Sequence, residues 1–177
     1  MSGFLREGSY AVADLELDER EVLAGVCRDV ASLLDEDPED NPHWSEHPLP
    51  VPEDPAVLRL LPVGSHDAQA AQEYRRLTEL DLRSEKARRL LNLAEQLESD
   101  QRWQVEQPHV LDVAAALTDV RLVLAARLRI EDEAQEEQLF GRLESAPDQL
   151  PAELRWLATL YLLLGFLEES LLQVFDA

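Results

Sequence analysis

The chain has 177 residues, is 45% hydrophobic but only 6% aromatic, and carries 37 acidic against 16 basic side chains, a net charge of −21. That length favours one domain able to bury a core, and the abundance of leucine, alanine, glutamate and arginine favours helices over sheets. The charge argues against independent nucleic-acid binding, which needs a basic surface, and one cysteine excludes an internal disulfide or a multi-cysteine metal site.

At the N-terminus, MSGFLREGSY has no apolar signal-peptide core, so the cytoplasm is the default location. Leu15 and Leu17 alternate around Glu16, which predicts a half-buried strand within residues 10 to 17. Asp18, with Glu21 three residues on, gives a capping-box pattern for a helix. Its buried stripe is Leu23, Cys27, Val30 and Leu34, broadened by Val22, Val26 and Leu33. The helix should stop in the acidic, proline-bearing DEDPEDNP.

Residues 35–55 hold six prolines and many acids, and read as an irregular connection rather than a second domain. Asp54–Pro55 is an N-cap and first-turn pair for a short helix through Leu61. Asp67 then caps a long helical region through about Leu97, with Tyr74, Leu77, Leu80, Leu90, Leu91, Ala94 and Leu97 as its expected buried positions. RWQVE alternates Trp103 with Val105 and predicts a second short strand, pairing with residues 10 to 17. After Pro108, Val110, Val113, Leu117, Val120, Leu124 and Leu128 recur at steps of three and four, one face of a helix. Residues 131–144 form a shorter acidic helix anchored by Leu139, Phe140 and Leu143.

The closing stretch begins at Pro151, which suits a first helical turn. From Trp156 to Leu167 it is uncharged, and apolar residues surround the helix instead of striping it, the pattern of a helix enclosed by neighbours. That run spans only ~18 Å at ~1.5 Å per residue, short of the ~30 Å of a bilayer interior. It therefore reads as a central core helix and not a membrane span. Spare leucines on it would also serve a homodimer.

Candidate sites are few. His43-Trp44-Ser45-Glu46-His47 fits the H-x-x-E-H pattern of inverted zinc peptidases. Pro42 and Pro48 enclose it, which opposes the rigid helix that zinc chemistry needs, and no third ligand presents itself. Glu106 and His109 have the Glu-x-x-His spacing of di-iron bundles, but the motif occurs once and Pro108 breaks it. Cys27 is a candidate redox thiol, although its place on an apolar stripe favours a buried small hydrophobe. Arg75, Arg76, Arg83, Lys86, Arg88 and Arg89 make a net-positive stretch, a candidate contact for a partner or a phosphate. Pairs such as Glu85–Arg89 at i,i+4 give the same residues a plain solvated role. Asp119, Arg121 and Arg127, set in an apolar helix, must face solvent or pair inside the bundle, for instance Arg121 with Glu168.

Four blocks, DPAVLRLLP (54–62), EYRRLTELDLRSEK (73–86), LTDVRLVLAARLRI (117–130) and WLATLYLLLGFLEESL (156–171), resemble the actinobacterial oxidative stress regulator AosR family. The second and third are the most specific. The resemblance, from about Leu15 to Phe175, implies a regulator acting on transcription with the polymerase machinery, and supplies no catalytic residues. Genes of that family often neighbour the one for the Clp-protease adaptor ClpS, which gives the alternative of an accessory factor for Clp proteolysis. A thiol switch needs paired cysteines, so with Cys27 alone only an intermolecular bridge is open. The partner implied is a protein such as a sigma factor or a Clp component, without direct DNA contact or a membrane. The expected architecture is a mainly α, single-domain helical bundle with a hydrophobic central C-terminal helix and a small two-stranded β-ribbon, non-enzymatic and without a cofactor.

Overall fold

Gly8, at φ 68°, supplies the left-handed backbone that turns the N-terminal chain into a hairpin. In the computed structural model, which describes residues 3–34, 51–99 and 102–175, it joins β1 (Leu5–Glu7) to β2 (Tyr10–Ala13). On its other edge β2 pairs antiparallel with β3 (Trp103–Glu106), as the alternation in RWQVE predicts. The ribbon is thus three-stranded, ordered β1-β2-β3, and not two-stranded. Ala11 opposes Val105 and Ala13 opposes Trp103, small against large, and all four side chains are buried. Leu15 and Leu17 fall outside the strand. Leu17 opens the first helix and is 49% exposed.

That helix, α1 (Leu17–Ser32), starts a residue earlier than expected, because Glu16 and Glu19 form the cap: the Glu19 carboxylate accepts the Glu16 N–H at 3.0 Å. Leu23, Cys27, Val30 and Leu34 are all buried, while Val22 stays half-exposed. Residues 35–50, with the predicted helix stop and most of the irregular connection, lie outside the described residues.

Asp54 caps α2 (Pro55–Leu60) by accepting the Ala56 N–H at 2.8 Å, and Asp67 caps α3 (Ala68–Leu97) through the Ala70 N–H at 2.8 Å. The second half of α3 buries Leu90, Leu93, Ala94 and Leu97 against α1. Its first half does otherwise. Tyr74, Leu77 and Leu80, expected inside, are 42%, 60% and 39% exposed, and Leu91 is 43% exposed. The buried side chains there are Ala71, Glu79 and Arg83. At the other end of α3, buried Arg20 donates to the carbonyls of Leu97 (3.1 Å) and Ser99 (2.6 Å), serving the unpaired acceptors of a helix C-terminus.

A short 3₁₀ turn at Gln107–His109 leads into α4 (Val110–Leu128), whose predicted stripe is buried from Val110 to Leu124. Arg129, at φ 58°, ends it: the Ile130 N–H reaches the Ala125 carbonyl at 2.9 Å and the Arg129 N–H the Ala126 carbonyl at 3.2 Å, a Schellman closure. The acidic α5 (Glu133–Ser145) follows, with no fully buried residue, and after a turn at Pro147–Gln149 comes α6 (Ala152–Gln173).

The result is one mainly α-helical domain with six described α-helices and a small sheet. Its centre is α4, which packs against α1, α2, α3 and α6. This corrects the expected central place of the C-terminal helix. One side of α6 is buried through Leu160, Tyr161, Leu164, Leu167 and Leu171, at about 1.5–3 kcal/mol for each large apolar side chain. Trp156, Leu162 and Phe166 on the other side are 49%, 42% and 46% exposed. Gly3 of the N-terminal segment lies against the Phe166 ring, and Val22 and Leu23 of α1 share a groove with Trp156, so these side chains are only partly covered.

Candidate functional site

The basic stretch of α3 does not present six free cations. Helical spacing lets Arg75 and Arg83 share the buried carboxylate of Glu79, at 3.4 and 2.8 Å. Arg76 pairs with Glu73 at 2.8 Å, Lys86 reaches across to Asp119 at 2.5 Å, and Arg89 pairs with Glu85 and approaches Asp112 at 3.7 Å. Arg88 is exposed, with no carboxylate partner among the described residues. A phosphate track would have to displace most of these carboxylates, and with Arg83 buried and Arg75, Lys86 and Arg89 largely covered, the stretch is neither a free basic track nor a plain solvated face.

Cys27 is 2% exposed, and burial pushes its thiol up to about 12, with nearby Arg28 opposing. At neutral pH such a thiol is un-ionised, and the thiolate is the reactive form. Glu106 and His109 are both exposed, and the Glu106 carboxylate accepts from the Tyr10 hydroxyl at 3.2 Å. The His43–His47 segment lies outside the described residues. Among the described residues no group of three His, Cys, Asp or Glu is placed to hold a metal ion, and no helix is long and apolar enough to cross a membrane.

Asp119, Arg121 and Arg127 all pair, each with a different helix or cap. Arg127 grips Asp54, the α2 cap, with two hydrogen bonds of 2.9 and 2.6 Å. The contact holds the Asp54 carboxyl below its ordinary range, chiefly through the Arg127 hydrogen bond and against the effect of burial. Asp119 is 3% exposed, and desolvation raises its pKa although Lys86 pulls the other way. Arg121 Nη1 donates to Glu168 Oε2 at 2.7 Å, the link between α4 and α6 expected from the sequence. Three ion pairs therefore tie α2, α3 and α6 to α4.

Around the third pair the surface opens into a groove of about 540 Å³ between α5 and α6. Thr118 Oγ1 lies 2.5 Å from Glu168 Oε1, and the Arg121 guanidinium sits 5.0 Å from the Tyr161 ring centroid. The guanidinium lies over Gly165, where a Cβ would meet it at ordinary contact distance, 3.4 Å. Burial opposes the Arg121 charge, but the Glu168 hydrogen bond and carboxylate hold its pKa above the ordinary value. Burial likewise raises the Tyr161 phenol, with Arg121 opposing and Glu136 reinforcing. Leu162, Phe166 and Leu172 give the groove apolar walls, and Glu136 and Glu169 give it acidic ones. A second groove of about 250 Å³, beside Trp156 and Val22 with Asp18 and Glu19 at its edge, flanks α6 nearer its N-terminus. Sequence pattern missed this surface, because an α6 that is apolar all round carries no period to mark its outward side.

The family described as a domain of unknown function, DUF2017, has a model that matches residues 1–175, and the chain belongs to that family. Neither the search of curated proteins nor that of solved structures returned a match.

Proposed function

We propose that this DUF2017 member is a non-enzymatic regulatory protein that works by binding another protein, and that it serves the oxidative-stress response at the level of transcription. The observation that carries the binding is the exposed part of α6, where Leu162 and Phe166 stay at least two-fifths exposed along one open groove and Trp156 along a second. Large apolar side chains gathered in this way mark a docking surface. The stress and transcription part comes from the resemblance to the AosR family, whose four blocks fall on α2, α3, α4 and α6. The cross-helix pairs Asp54–Arg127, Lys86–Asp119 and Arg121–Glu168 each join two of those blocks. The polar positions of the resemblance thus have a structural reason, which leaves contact with a partner to the surface around them.

A net charge of −21 favours a partner over DNA, since the phosphate backbone is repelled by an anionic surface. Buried Cys27 makes a poor sensor, and on this reading the oxidant signal is sensed by the partner or upstream of it. The test is titration of the purified protein against fluorescently labelled sigma factors, core polymerase and Clp components of an actinobacterial host. Saturable binding to the polymerase or a sigma factor is expected, with no mobility shift of promoter DNA by the protein alone at either low or physiological salt. Tight, salt-sensitive binding to DNA alone would overturn the reading. Binding confined to Clp components would transfer the protein to proteolysis as an accessory factor. A second check is thiol labelling: native Cys27 should react about a hundredfold more slowly than in unfolded protein, because both access and ionisation are suppressed.

A further inference from the structure

We infer that the groove between α5 and α6 receives a basic amphipathic helix of the partner, an inference that rests on the protein-contact reading and adds the partner's chemistry to it. The walls have the right form for such a guest. Leu162 and Phe166 stand one helical turn apart on the open side of α6, and Leu172 extends the wall toward its C-terminal end. From Leu162 to Leu172 the axial distance is ~15 Å at ~1.5 Å per residue. That is about three turns of a second helix laid alongside, enough for apolar anchors at i, i+3 or i+4, and i+7.

Charge selects the kind of helix. Within the groove the one cation, Arg121, is already matched by Glu168 at 2.7 Å and lies against Tyr161. Glu136 and Glu169 have no basic partner among the described residues. The uncompensated charge is therefore negative, on a chain that is itself strongly acidic. Lysine or arginine flanking the guest's apolar stripe meets these carboxylates, whereas an acidic guest is repelled on approach and on docking.

The same charges disfavour a parallel two-fold pairing of α6 with a second copy of the chain, which would set Glu136 and Glu169 against their own equivalents, carboxylates on carboxylates.

The experiment uses the full chain and a fluorescein-labelled synthetic helix of about 18 residues, with leucine at helical spacing and lysine on its flanks, read by anisotropy. Binding should be saturable and should weaken about tenfold between about 50 and 300 mM salt. It should also weaken about tenfold in Phe166→Asp, and again in the double variant Glu136→Lys with Glu169→Lys, each checked by an unchanged thermal midpoint. If Phe166→Asp loses stability, Leu162→Ser takes its place. The matching helix with glutamate for lysine should not bind. Equal binding of the two helices, or lysine-helix binding that ignores the groove variants, overturns the inference. So does a homodimer in sedimentation that Phe166→Asp dissociates. Polymerase or sigma-factor binding that survives Phe166→Asp overturns the groove and leaves the proposed function standing. Helix binding that behaves as expected, without any polymerase contact, does the reverse.

Discussion

Helices α4 and α6 are both strongly apolar, α4 in leucine, valine and alanine and α6 chiefly in leucine, and they lie against each other, yet water reaches them very differently. Ten residues of α4 are buried, including the charged Asp119, whereas α6 buries six along a longer helix and leaves Trp156, Leu162 and Phe166 half in solvent. The difference does not lie in apolar content. It lies in the number of sides that have neighbours: α4 has α1, α2, α3 and α6 around it, while α6 packs chiefly against α4, meets α5 only lightly and touches the N-terminal segment at Ser170. An apolar helix at the edge of a bundle keeps a free side, and that side is what remains for a partner.

The sharpest way to break this comparison is a matched pair of truncations. Leu117→Ala on α4, at 1% exposure, should cost about 3 kcal/mol in chemical denaturation, the transfer loss plus a cavity. Phe166→Ala on α6 should cost about 1 kcal/mol, because nearly half of that side chain is already in water. Similar losses for the two would mean that α6 is enclosed after all. Next in size is Asp119→Ala, expected to lower stability by about 2–3 kcal/mol by leaving Lys86 beside α4 without its carboxylate.

A smaller effect tests how α2 is held. Asp54→Ala removes both the helix cap and the Arg127 pair, and should cost about 1 kcal/mol near neutral pH. The pH dependence has a definite sign. Because the folded pKa of Asp54 lies below the ordinary value, its contribution is complete above the usual carboxylate range and is lost as pH falls through the folded pKa. The gap between wild type and variant should therefore narrow in acid. For Asp119, whose pKa is raised by burial, the sign is opposite: ionisation inside the fold subtracts stability as pH rises from the ordinary value through the raised one, and the Lys86 pair recovers part of that cost. Smallest of all, Arg129→Gly should stabilise the fold by up to about 1 kcal/mol, since glycine adopts the left-handed closure of α4 without the penalty a Cβ incurs. A rise in the thermal midpoint checks it.

Much of this was legible in the residues because it is decided within a few positions along the chain. Asp54 and Asp67 cap the helices that follow them, the steps from Val110 to Leu124 mark the buried side of α4, and the alternation at Trp103 and Val105 finds its strand partner in β2. Where a local rule had rivals it slipped: the box at Glu16 and Glu19 displaced the one expected at Asp18 and Glu21, and the glycine hairpin added a strand. The candidate site was less legible. The Arg121–Glu168 link could be guessed from two charges in apolar helices, but nothing local tells which of Arg75 to Arg89 will find acids on α4.

The amino-acid sequence by itself settled where the helices run to within a residue or two, the caps of α2 and α3, and that the domain is mainly α, since hydrogen bonding and periodicity act over three or four residues. Only the tertiary structure decided that α4 and not α6 is the centre, that Tyr74, Leu77 and Leu80 face outward, and that the groove at Phe166 lies open. Burial depends on which surfaces meet across the bundle, and residues far apart in the chain set that jointly.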